Sequence, residues 1–129
     1  MRPIQVFVLE DSPLIVESLI AALEELVPLA VLGVADSEVG ALQWLAANAP
    51  LVDLVIIDIF LKGGSGLGVL RALQTSAPSY KRVVLSNYTT ADVRRTCLAL
   101  GADRVFDKSG EIDALVSYCQ ELPSVSSHS

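Results

Sequence analysis

Residues 4–13, Ile-Gln-Val-Phe-Val-Leu-Glu-Asp-Ser-Pro, decide the fold. An apolar, β-favouring run from Ile4 to Leu9 stops at two acids, Glu10 and Asp11, and Ser12 and Pro13 follow at once. Serine is a favoured helix N-cap and proline fits a first helical turn, where its missing N–H costs nothing. Ile15, Leu19, Ala22, Leu23 and Leu26 then recur at helical spacing and form one apolar stripe. A buried strand passing directly into an amphipathic helix is the opening of a βα unit, which points to a parallel sheet covered on both faces.

The same alternation runs through the rest of the chain. Strands are predicted near 4–9, 29–35, 53–58, 82–86 and 103–107, with a second helix from Asp36 or Ser37 to about Asn48. A third helix runs from about Gly66 to Thr75, and a fourth starts near Thr89 or Thr90. A fifth carries Ile112, Leu115, Val116, Cys119 and Leu122 on one side. Right-handed crossovers then give an α/β doubly wound sheet of five parallel strands in the order 2-1-3-4-5. The loop after the first strand has neither GxGxxG nor GxxxxGK[ST], which argues against a nucleotide site. Gly63, Gly64, Gly66 and Gly68 follow the third strand instead and read as a tight turn into the third helix.

In an open parallel sheet the carboxyl ends of the strands face one crevice. Glu10 and Asp11 follow the first strand, Asp58 follows Leu54 to Ile57, Ser86 follows Arg82 to Leu85, and Lys108 lies just beyond Phe106. Three carboxylates gathered there repel one another, so full ionisation calls for a cation, and hard oxygen donors suit Mg²⁺. A divalent ion and Lys108 together neutralise the three acids. Such a pocket can hold a reactive carboxylate and an incoming phosphoryl group.

With 129 residues the chain fits one domain with a sizeable core. Its hydrophobic content of 52% is high, yet runs such as Ala30 to Ala35 are far too short to span a membrane. The N-terminal stretch lacks the features of a signal peptide, so the cytoplasm is the expected location. Nine basic against fifteen acidic residues, a net charge of −6, disfavour direct nucleic-acid binding. Cys97 and Cys119 have no metal-ligand spacing and read as reduced, buried thiols. The polar end after Leu122, which contains His128, reads as a frayed tail. Trp44, beside Leu42, Leu45 and Ala46, is expected to be partly exposed.

In this order and at these spacings, VFVLEDSPL (6–14), VIIDIFLKGGSGL (55–67), VVLSNY (83–88) and GADRVFDKS (101–109) resemble the receiver domain of two-component response regulators. The similarity covers about Ile4 to Leu122. It implies a flavodoxin-like (βα)5 receiver domain over residues 1–122, with 123–129 a disordered tail. Asp58 is then the phosphoryl acceptor, a carboxylate nucleophile that takes phosphate from a histidine kinase or phosphotransfer protein as an acyl phosphate. The resemblance also implies that Asp11, Asp58 and the Phe60 carbonyl bind Mg²⁺, with Glu10 acting mainly through water. Lys108 pairs with the phosphoryl group and Ser86 donates a hydrogen bond to it. Such a module is a signalling protein rather than an enzyme, catalysing only its own phosphorylation and dephosphorylation. It acts on a downstream partner or on an output domain elsewhere in a longer regulator.

The chain departs from the family pattern at three places. The aromatic usually found three residues before the lysine is replaced by Val105, with Phe106 pointing to the other side of the strand. Lys62 replaces a proline after the acceptor, and Ser109 replaces the proline that commonly follows the lysine with a cis peptide. A trans peptide is therefore expected there. Phe60 and Tyr88 border the phosphoryl position in receivers and are expected to shield it from water. Arg94 and Arg95 lie on the fourth helix, where a solvated face is the plain reading. Two other functions fit the same residues: a degenerate receiver that binds partners without phosphorylation, and a hydrolase with Asp58 as nucleophile.

Overall fold

In the computed structural model, which describes residues 3–76, 78–87 and 89–122, strands and helices alternate along the chain. The elements are β1 (Ile4–Leu9), α1 (Pro13–Leu26), β2 (Leu29–Ala35), α2 (Glu38–Asn48) and β3 (Leu54–Ile57). They continue as α3 (Gly66–Ser76), β4 (Lys81–Ser86), α4 (Ala91–Ala99), β5 (Arg104–Asp107) and α5 (Ile112–Glu121). The five strands are parallel and ordered β2-β1-β3-β4-β5, as the alternation predicts.

The period-two alternation of β side chains divides the core in two. Ile4, Val6 and Val8 face the side covered by α1 and α5, where Leu19, Leu23, Leu115 and Val116 pack. Phe7 and Leu9 face the other side and meet Ala41, Leu45, Val69 and Leu70 from α2 and α3. All of β3 is buried, because the central strand has helices over both faces. Each fully buried Leu, Ile or Phe contributes about 1.5–3 kcal/mol relative to exposure. Cys97 and Cys119 are free thiols, one in each core, in keeping with their sequence reading.

The caps follow the sequence. Ser12 Oγ accepts the Ile15 N–H, with Pro13 in the first turn of α1, while Ser37 and Thr90 cap α2 and α4 in the same way. One expectation needs correction. Leu26 belongs by spacing to the α1 stripe but is 56% exposed, since the chain leaves the helix in extended conformation and Val27 takes the buried place. Trp44 is partly exposed, as its position on α2 led one to expect, and its ring stacks on Phe7 at 4.5 Å between centroids. Gly33 makes room for it: a Cβ there would stand 2.5 Å from the indole. Residues 123–129, read as a tail, lie outside the described residues. Among the described residues no helix is long and apolar enough to cross a membrane.

Candidate functional site

Strand register brings the candidate residues to one edge of the sheet. Leu9 pairs with Ile57, and the Asp58 N–H donates to the Leu9 carbonyl at 2.9 Å, so the acids that end β1 and β3 are neighbours. Ser86 pairs with Asp107, and the Lys108 N–H donates to the Ser86 carbonyl at 2.9 Å. Four strand ends thus converge, as the crevice rule for open α/β sheets requires.

The side chains meet as well. Lys108 Nζ donates to Glu10 Oε1 at 2.5 Å and to Asp58 Oδ2 at 3.0 Å. Its side chain is only 10% exposed, so this is no solvated loop charge. Main-chain amides orient each carboxylate from its other side. The Ser12 N–H donates to Glu10 Oε2 (3.0 Å), Phe60 N–H to Asp58 Oδ1 (3.1 Å) and Lys62 N–H to Asp11 Oδ2 (2.7 Å). Asp11 therefore holds the loop after β3, while Ser12 is the residue that caps α1.

Burial and charge oppose each other here. Burial pushes the Glu10 carboxyl above its ordinary value, and hydrogen bonds from Lys108 and the Ser12 amide only partly offset it. Burial alone would lower Lys108, but its hydrogen bonds to Glu10 and Asp58 leave the ammonium raised and hence charged. Oxygens of Glu10, Asp11 and Asp58 can all lie within 4.8 Å of one another. A set of three carboxylates suits a small hard cation, so the residues fit Mg²⁺.

Ser86 is 0% exposed, and its Oγ has no hydrogen-bond partner among the described residues. A buried hydroxyl left unpaired costs about 1–3 kcal/mol, and Ser86 Oγ is free to donate at the strand end. Phe60 is 51% exposed on the loop after Asp58, whereas Tyr88 lies outside the described residues. Every peptide bond among the described residues is trans, including the one after Lys108.

Val105 and Phe106 divide as the strand period predicts: Val105 packs on the α2–α3–α4 side and Phe106 on the α1–α5 side. Arg94 corrects the solvated-face reading of α4. Its guanidinium donates to the Val105 carbonyl (2.9 Å), the Thr89 carbonyl and hydroxyl (3.2 Å each) and Glu111 Oε1 (2.6 Å). Asp107 joins this network by accepting from Thr89 Oγ1 at 2.7 Å, and Glu111 also accepts the Asp107 N–H at 2.8 Å. Arg95 does remain exposed, paired with Asp92. Glu38 is a further residue the sequence reading passed over, because its partners lie in a loop 27 residues away.

A profile described as "Response regulator receiver domain" matches residues 6–120. The chain is 32% identical to protein-glutamate methylesterase/protein-glutamine glutaminase 5 of Myxococcus xanthus, with 90% of this chain and 36% of that protein covered. It spans between about a third and just over half of the length of the curated relatives it matches. Among solved structures it is similar to the signal receiver domain of the putative response regulator NarL from Mycobacterium tuberculosis. That match has a TM-score of 0.79 and 22% identity, covering 94% of this chain and 99% of that one. It is also similar to a chain of the CheX–CheY–BeF3–Mg²⁺ complex from Borrelia burgdorferi. There the TM-score is 0.82 at 17% identity, covering 90% and 86% of the two chains.

Proposed function

The chain belongs to the response regulator receiver domain family, and from that membership we propose that Asp58 accepts a phosphoryl group from a histidine kinase or phosphotransfer protein. The observation that carries this reading is the buried trio of Asp58, Glu10 and Lys108 at the strand ends, with the unpaired Ser86 hydroxyl in the same row. In the transfer an Asp58 carboxylate oxygen bonds to phosphorus as the P–N bond of the donor phosphohistidine breaks, and the imidazole keeps the electron pair. Lys108 is charged and already hydrogen-bonded to Asp58, so it is positioned to neutralise phosphoryl oxygens. Ser86 Oγ gains the acceptor it lacks once the phosphoryl group is attached.

Asp11, Asp58 and the Phe60 carbonyl would hold Mg²⁺, with Glu10 acting mainly through water. The ion supplies charge neutralisation between the nucleophile and the phosphoryl oxygens. The donor would approach along a groove of about 400 Å³ lined by Leu14, Ile15, Leu19, Leu85 and Ile112, with Lys108 also in its lining. Phosphorylation takes Asp58 from one negative charge to nearly two near pH 7, giving donors on nearby loops a new target. The signal would pass to a downstream protein or an output domain in a longer regulator, without direct nucleic-acid binding by this chain. The setting would be cytoplasmic and the chemistry confined to the chain's own phosphorylation and dephosphorylation.

Incubation with acetyl phosphate and Mg²⁺, followed by mass spectrometry, tests the reading. One hydroxylamine-labile phosphate on Asp58, absent from a folded Asp58→Asn variant, is the expected result. Stoichiometric phosphate on that variant would place the acceptor elsewhere. No phosphate on the wild type would favour the phosphorylation-independent interaction module.

A further inference from the structure

We infer that Glu38, at the start of α2, is a positioning residue for the phosphorylation site, acting through the loop between Asp58 and α3. The inference rests on the receiver reading above. That loop carries the Phe60 carbonyl and the Lys62 N–H that holds Asp11, yet it lacks the proline that would stiffen it. Within it, Phe60 bridges Ser65, and the Ile59 carbonyl accepts the Gly66 N–H at 3.2 Å and the Ser65 hydroxyl at 3.4 Å.

Besides the Asp11 bond, a second tie to the rest of the fold comes from α2. The Glu38 N–H donates to the Gly63 carbonyl at 3.1 Å, and Ser37 bridges Gly63. Glu38 Oε1 accepts the Ser65 N–H at 3.0 Å, which sets a carboxylate at the N-terminal end of α3, where the helix dipole favours negative charge. Two glycines make the space. A Cβ on Gly64 would stand 2.7 Å from Glu38 Cβ, and one on Gly68 2.4 Å from Glu38 Oε2. Gly64 also has φ +101°, a conformation that other residues rarely adopt. The glycine cluster is thus more than a turn: it is the bed on which the Glu38 side chain lies. Residues that orient metal ligands from behind commonly change metal affinity when lost, although they touch no metal themselves.

The test uses the full chain with and without Mg²⁺. In metal-free protein, Glu38→Ala is expected to raise amide exchange at Ser65 and Lys62 about tenfold. The Mg²⁺ concentration for half-saturation, read from amide shifts, rises about tenfold. With acetyl phosphate, the Mg²⁺ dependence of phosphorylation shifts while the rate at saturating Mg²⁺ changes less. Glu38→Gln keeps an acceptor for the Ser65 N–H and restores most of each effect, whereas a role confined to the charge at the start of α2 would leave Gln as poor as Ala. Gly68→Ala pushes the carboxylate away without removing it. It should reproduce the loss of Mg²⁺ affinity while helix propensity sustains the fold, so it carries the test if Glu38→Ala does not fold. Unchanged half-saturation in the variants, with wild type binding the ion, overturns the role of Glu38. A wild type that takes up no Mg²⁺ overturns the reading of the site instead, and exchange at Ser65 and Lys62 then still decides whether Glu38 holds the loop.

Discussion

Arg94 on α4 donates through Nη1 to the main-chain carbonyl of Val105 on β5 at 2.9 Å. Val105 stands where the resemblance to receivers leads one to expect an aromatic, and the Arg94 guanidinium links α4 to β5 at this position. Valine is stiff at χ1 and offers little contact area to signal with. The Arg94 bonds run to Thr89, three residues after Ser86, and to Glu111 at the start of α5. A pull on the β4–α4 loop is therefore felt on both sides of α4.

It follows that beryllofluoride should shift amides from Asn87 through α4, β5 and Glu111 without a rotamer change at Val105. Arg94→Ala should confine those shifts to the loop and cost about 1 kcal/mol in urea melts, a modest loss because the Arg94–Glu111 pair is more than a third exposed. Shifts limited to α1 and α2 would place the output surface elsewhere.

Mg²⁺ should raise the thermal stability of the wild type, and Asp11→Ala should remove most of that gain. A ligand that binds only the folded state adds about 2.7 kcal/mol at 100 times its dissociation constant, several degrees in melting temperature for a domain of this size. Asp11 is one of three acids whose oxygens can converge. Equal Mg²⁺-dependent shifts in the two proteins would remove Asp11 from the ligand set.

The Asp107 network should make stability fall on acidification in a defined window. Hydrogen bonds from the Ser109 and Thr89 hydroxyls hold Asp107 at about 2, below its ordinary 3.8, and the Arg94 hydrogen bond lowers Glu111 from 4.5. Both folded values are depressed, so the stabilisation is complete above the ordinary values and is lost as pH falls through the folded ones. The groups that face the pair are Arg94 from α4, Thr89 from the loop before it and Ser109 from the loop after β5. Melting temperatures of wild type and Asp107→Asn should differ fully from about pH 5 upwards and converge as pH falls through about 2. A difference that persists unchanged at pH 2 would show that the charge is not the source.

Phe60 is half exposed beside the nucleophile and offers no group to orient an attacking water. The phosphorylated state should therefore be long-lived. Changing Phe60 to Asn and Tyr88 to Glu together should speed phosphate loss, followed by mass spectrometry at fixed Mg²⁺. A double variant that loses phosphate no faster than wild type would show that shielding does not set the lifetime.

Strand and helix identity, the order of the sheet and the five residues at its edge were all legible in the sequence. Each rests on a short-range signal: Ile4 to Leu9 is a short apolar, β-favouring run, Ser12 and Pro13 mark a helix start, and Asp58 ends an apolar run. The parallel arrangement follows once five such units alternate. What only the tertiary structure decided is which polar atoms answer which. Lys108 meets Glu10 across 98 positions and Asp58 across 50, and Glu38 reaches Ser65 across 27. Arg94 had a helical position that read as solvated until β5 supplied its carbonyl partner, and the partly exposed Trp44 gained the Phe7 ring as a stacking partner that no spacing along the chain foretold. Periodicity is a property of neighbours along the chain, whereas a hydrogen bond or a stacked ring depends on ångström distances that arise only when separate strands and helices are brought together.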